Sequence, residues 1–318
     1  MACRQESKRM LSLGSTFILA AVLAATAQSV YAGQDERSRR SPWRSDYFPN
    51  IQLVTHEGKQ VGFYDDLIKD RVVLINFIFT SCGDSCPMET ARLKQVYDLL
   101  GDRVGKDVFF YSISIDPDFD TPEVLANYKK KFQIGEGWTF LTGNEDEIID
   151  LRRKLSLYQE DLEDSSDHNL SLIVGNEAKG KWIKRSPYDD PGILAHILGD
   201  RLHGGRVYVA GKKKYEDAQA LVLPNDGEKL FATRCAACHT LGGGDRICPD
   251  LLGVTETRDA AWLARWVAEP DKMLAEGDPT ALALFERYGG IRMPNLGLSD
   301  NDVSAVVAYM KKASERPE

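Results

Sequence analysis

The sequence predicts an α/β domain followed by a smaller all-α domain, and three stretches carry that reading. Val72-Val73-Leu74-Ile75-Asn76-Phe77-Ile78-Phe79-Thr80 is a continuous β-branched and aromatic run, the pattern of a strand buried on both faces. It runs into Cys82 and Cys86, after which Met88, Ala91, Leu93, Val96 and Leu99-Leu100 recur at helical spacing. Near the C-terminus, Val303, Val306, Val307 and Met310 repeat with a helical period behind the cap-like Ser299-Asp300-Asn301-Asp302. With 318 residues and 43% apolar content, the chain is long enough for two ordinary globular domains.

Residues 1–32 read as an export signal. Arg4, Lys8 and Arg9 make a basic start, residues 11–27 are largely apolar, and Val30-Tyr31-Ala32 ends in the small residues a signal peptidase reads. The alternative is an uncleaved membrane anchor, for which a run interrupted by Gly14, Ser15 and Thr16 is marginal. Residues 33–46 are charged and read as a flexible segment.

Residues 47–203 hold the α/β pattern, with further strands expected at 108–115, 139–141 and 170–174, helices at 122–132 and 145–155, and a hairpin arm at 179–185. Thr121 before Pro122 is an N-cap followed by a proline at the first helical position. Residues 204–224, with Gly204-Gly205 and Lys212-Lys213-Lys214, read as a polar linker, and 225–318 as the helical domain, opened by Asn225 as a cap. No internal repeat is apparent. Without its first 32 residues the chain has 37 basic and 47 acidic side chains, a net charge of −10. That balance excludes the basic face that nucleic-acid binding requires.

Cys235-Ala236-Ala237-Cys238-His239 places two thiols three positions apart with an imidazole directly after them, the attachment signature of c-type haem. The thiols add to the porphyrin vinyl groups and His239 reaches the iron from the proximal side. A bare Cys-x-x-Cys is also read as a zinc half-site or a redox disulfide, but zinc needs two further ligands and none stands at the usual spacing. Met293, in Arg292-Met293-Pro294-Asn295-Leu296, is the leading sixth ligand, with Met273 and Met310 as competitors. Met310 falls on the apolar face of the last helix, and Met273 in a charged stretch.

Through GEKLFATRCAACH, PDLLGV and MPNLGLSDNDVSAVVAYM, residues 225–313 resemble the class I cytochromes c. The resemblance implies that Met293 is the distal ligand and that Pro249 supports His239. It departs at Cys248, where such modules often carry glycine. This cysteine reads as a small buried hydrophobe or a reactive thiol, and the sequence offers no partner for it.

In the first domain, a strand that delivers two cysteines to a helix start is a thioredoxin-like arrangement, and a helix N-terminus favours thiolate over thiol. The spacing Cys82-x-x-x-Cys86 is one residue longer than the usual oxidoreductase motif. Residues four apart in a helical turn share a side, and two soft thiolates there suit Cu(I). An inert disulfide is the structural alternative. His168, directly before the strand expected at 170–174, is a third donor for the same end of the sheet. His56, His196 and His203 read as structural, and Asp116 and Asp120 are not read as ligands.

Through INFIFTSCGDSCP, SISIDPDFDTPEVL and Asp167-His168, residues 47–202 resemble the Sco/SenC family of copper-binding proteins. The resemblance implies a thioredoxin-like fold, copper held by Cys82, Cys86 and His168, and help in assembling the copper site of cytochrome c oxidase. Unlike dithiol oxidoreductases, the chain has no proline before the strand that follows His168.

The expected protein is a periplasmic copper chaperone and redox protein whose haem c exchanges single electrons with copper or with a partner. Its partners are the copper-accepting subunit of the oxidase or another copper acceptor, a redox protein, and a membrane if the N-terminal segment is retained. Two other readings stand beside it. One is a haem-coupled thiol–disulfide reductase that uses Cys82 and Cys86. The other is an electron carrier whose first domain only docks or senses.

Overall fold

The computed structural model describes residues 47–81, 85–158, 171–204 and 226–315. Two short antiparallel strands, β1 (Gln52–Thr55) and β2 (Gln60–Gly62), lead into β3 (Val72–Ile78), whose seven side chains are all buried. Next come α1 (Ser85–Leu100), β4 (Val108–Ser114), α2 (Pro122–Lys131), β5 (Trp138–Gly143) and α3 (Glu145–Lys154). This alternation makes β3, β4 and β5 pair in parallel, because each crossover carries a helix. β6 (Leu172–Asn176) runs antiparallel to β3, β7 (Lys181–Arg185) pairs antiparallel with β6 at the sheet's edge, and α4 (Pro191–His196) follows. The sheet order is β2-β1-β5-β4-β3-β6-β7, and the lobe is the expected thioredoxin-like α/β fold.

Most expected elements appear with small shifts at their ends. Thr121 and Asn144 start α2 and α3 by accepting from the amides of Val124 and Glu147. α1 begins at Ser85 rather than after Pro87, since a proline in the first helical turn forfeits no helical hydrogen bond. Leu99, expected on the apolar face, is 62% exposed, and Leu100 takes the buried place.

One face of the sheet sets Leu74, Phe110, Trp138 and Phe140 against Leu93 and Val96 of α1 and Leu125 and Tyr128 of α2. A polar chain crosses this apolar layer. The Trp138 indole N–H donates to Ser112 Oγ (2.8 Å), Ser112 to Asn76 Oδ1 (2.7 Å), and Asn76 Nδ2 to Glu89 Oε1 of α1 (3.0 Å). The indole, the Ser112 hydroxyl, the Asn76 amide and Glu89 Oε1 each find a partner, which burial requires.

The C-terminal lobe is all-α: α5 (Asp226–Leu230) runs into a π turn at Phe231–Cys235, followed by α6 (Val254–Thr257), α7 (Ala260–Ala268), α8 (Pro270–Ala275), α9 (Pro279–Arg287) and α10 (Asp300–Ser314). The expected cap Asn225 lies outside the described residues. Ser299 and Asp302 form a reciprocal capping box at the start of α10. α5 and α10 cross at Gly227, where an added Cβ would strike the Ala305 carbonyl. Phe231, Leu263, Val267, Val303, Val306 and Met310 fill the lobe's core. Among the described residues no helix is long and apolar enough to cross a membrane.

Candidate functional site

Cys86 sits in the first turn of α1, fully buried against the core. Cys82 and His168, its expected companions, lie outside the described residues. The described approach to Cys82 is pinned by Asp120, itself fully buried. Its carboxylate accepts from the Thr80 amide (3.1 Å), from the Thr80 hydroxyl and from Ser114 Oγ (2.5 Å). Burial raises the Asp120 pKa, against the pull of those hydrogen bonds. Asp116 accepts from Ser81 Oγ at 3.4 Å. The acidic 116–120 segment therefore shapes the end of β3 just before Cys82.

The three histidines read as structural are engaged in their own surroundings. His56 Nδ1 accepts from the Phe140 amide (3.3 Å), His196 Nδ1 lies 3.0 Å from Asp200, and His203 Nε2 lies 3.9 Å from Asp107.

In the helical lobe, one cleft of about 1000 Å³, open mouth included, is lined by Cys235, His239, Pro249, Trp266, Met293 and Met310 among others. That size falls in the range of small-molecule and cofactor sites. His239 Nδ1 lies 2.9 Å from the Pro249 carbonyl, which can only accept, so the ring proton sits on Nδ1 and the Nε2 lone pair is left for a metal. Burial lowers the His239 pKa, favouring the neutral imidazole that metals bind. Burial also pushes the Cys235 thiol up to about 11.

Of the competing methionines, Met310 lines the cleft but is rooted in the core of α10, whereas Met273 is buried away from it. Met293 lies on the irregular segment between α9 and α10. An apolar cleft that gathers a thiol, a neutral imidazole and a thioether fits a covalently attached haem.

Cys248 does have a partner, contrary to the sequence reading. Its amide donates to the Cys238 carbonyl (3.2 Å), and the two thiols are hydrogen-bonded, which lowers the Cys248 pKa and raises that of Cys238. No spacing rule links cysteines ten positions apart across a loop, so nothing in the sequence could have announced this contact. The same holds for Asp120, which the sequence shows only as one of several aspartates.

The SCO1/SenC family model matches residues 41–193, and the cytochrome c family model matches residues 224–314. A SCO2-like protein of Rickettsia conorii is 33% identical over 42% of this chain and 66% of its own length, slightly under two thirds. The SCO1 protein homolog of Bacillus subtilis is 31% identical over 42% of this chain and 73% of its own. The cytochrome c domain of the pp3183 protein from Pseudomonas putida is 52% identical over 28% of this chain and 89% of that one, with a TM-score of 0.27. On its N-terminal lobe the chain belongs to the SCO1/SenC family, and it carries a cytochrome c domain behind that lobe.

Proposed function

We propose that this protein carries copper as cargo on Cys82, Cys86 and His168 for assembly of the copper site of cytochrome c oxidase, and that a haem c is attached to Cys235 and Cys238 with His239 and Met293 as axial ligands. When bound, the haem supplies a one-electron couple whose potential a methionine ligand raises. The protein's own residues prepare that place. Pro249 holds His239 in the metal-binding tautomer, and Leu251, Leu263 and Val306 give the cleft an apolar lining. At the other end, Asp120 fixes the strand end that leads to Cys82, and α1 begins at the Cys86 turn.

The reading places the protein in the periplasm, either freed by cleavage of residues 1–32 or held at the membrane by them. It rests above all on one observation: a single cleft brings Met293 to Cys235 and His239, both far from it in sequence, behind a lobe of the SCO1/SenC family.

Metal analysis with optical and EPR spectroscopy of the exported protein tests the proposal. One copper and one haem per chain are expected, with His168→Ala losing copper and keeping haem. Haem-loaded, thiol-reduced protein that takes up no copper would sink the copper assignment and leave the haem-coupled reductase and the electron carrier with a docking or sensing lobe.

A further inference from the structure

α1 has two buried flanks. Leu93, Val96 and Leu100 face the core of the thioredoxin-like lobe, as the sequence pattern requires. Met88, Arg92 and Gln95, spaced four and three apart, form a second flank turned to the helical lobe.

Arg92 is only 6% exposed, an unusual place for a guanidinium. Its Nε donates to the Pro187 carbonyl (3.2 Å), and Nη2 donates to those of Tyr188 (3.2 Å) and Asp189 (3.2 Å), all just after β7. Nη1 reaches across to the carbonyl of Thr233 (3.1 Å), two residues before Cys235. The Tyr188 ring lies against the guanidinium, 5.7 Å from centroid to Cζ.

One helical turn further on, Gln95 Nε2 donates to the carbonyl of Ala236 (2.9 Å), inside the Cys-x-x-Cys-His motif. Met88 shares a groove with Pro294 and Leu296, which follow Met293. Ala237, Cys238 and Ile247 complete the seam by joining the same apolar core as α1 and α2.

We infer that α1 is a wall common to both lobes, and that Arg92 and Gln95 are positioning residues that lock the haem-attachment segment onto the helix that starts at the copper-binding cysteines. The planar fork of arginine suits the task, because it satisfies carbonyls from two lobes at once. Cys86 and Gln95 are then held about 14 Å apart along one rigid helix, at 1.5 Å per residue. The two centres keep a constant spacing. The relevance to electron exchange rests on the proposed function; the lock itself does not.

Two measurements on the full-length haem-loaded protein test this. In the copper-free Fe(II) form, ¹⁵N relaxation should give amides of both lobes one shared rotational correlation time. Gln95→Glu sets a carboxylate against the Ala236 carbonyl without touching the 187–189 loop, and should split that single time into two. Arg92→Ala should do the same more completely, while the haem absorption spectrum stays as in the wild type.

Two separate times in the wild type, or one time in both variants, would overturn the inference. Pulsed EPR between Cu(II) and Fe(III) should show one narrow distance in the wild type, at least doubled in width by Gln95→Glu. If the chain binds no copper, the proposed function fails, and the relaxation result alone decides the lock.

Discussion

Replacing Asp120 with alanine should loosen the end of the first lobe where the copper ligands are proposed. The carboxylate accepts three hydrogen bonds, from the Thr80 amide, the Thr80 hydroxyl and Ser114 Oγ. Ser114 is fully buried, so its hydroxyl would be left with one acceptor fewer in a site water does not reach. Hydrogen bonds to a charged group contribute about 1.5–3 kcal/mol each, but removing the buried carboxylate also relieves its desolvation, and a net loss of about 3 kcal/mol is expected. For a domain of this size that is about 6–12 °C in Tm.

Differential scanning calorimetry of the copper-free protein near pH 7 reads the shift directly, and copper uptake should weaken with it because Thr80 stands two residues before Cys82. A Tm within 2 °C of wild type, with unchanged copper uptake, would refute the reasoning. The pH dependence carries a second signature. Burial raises the Asp120 pKa above its ordinary 3.8, so the folded chain holds this proton more tightly than the unfolded chain. Ionisation therefore costs stability: the cost is absent below the unfolded value and is incurred as pH rises through the folded one. Measured against Asp120→Asn, whose side chain does not titrate, the wild type should lose relative stability as pH rises above the ordinary carboxylate range. A constant difference would contradict the burial argument.

Other outcomes follow from the helical lobe. Met293→His should keep a six-coordinate haem but lower its midpoint potential in spectroelectrochemical titration, because a thioether ligand raises the potential relative to imidazole; an unchanged potential would remove Met293 as ligand. Gly227→Ala should destabilise the α5–α10 crossing by about 1–3 kcal/mol in thermal melts, as overpacking does, and a neutral result would mean that the helices part without strain. Asp302→Ala breaks one arm of the capping box and should cost about 1 kcal/mol by urea titration, with no change in haem content.

The sequence carries much of this architecture because its strongest signals are local. The unbroken apolar run of β3, the Thr121-Pro122 start of α2 and the Ser299 box each determine their own element through nearby atoms. The cleft residues Cys235 and His239 stand out in the sequence for a different reason: the attachment chemistry proposed for them demands a fixed spacing of thiols and imidazole, and chemistry of that kind leaves a pattern in the chain. Arg92 leaves none. A lone arginine in a helix reads as a solvated side chain, and only the folded chain shows it buried under four carbonyls from two lobes. The Cys238–Cys248 contact was hidden for the same reason, since it depends on how the 240–248 loop returns upon the motif.

β7 closes the sheet on one side with Lys181, Lys184 and Arg185 among its five residues. An outermost strand offers unpaired backbone groups on which another chain can build; Arg185 is paired with Asp189, and the exposed Lys181 and Lys184 repel a second copy of the strand. The protein thus carries its own guard against stacking edge to edge when many copies crowd together. Exchanging those lysines for threonine or valine would keep the strand while removing the guard, turning a quiet margin of the molecule into a template for fibres.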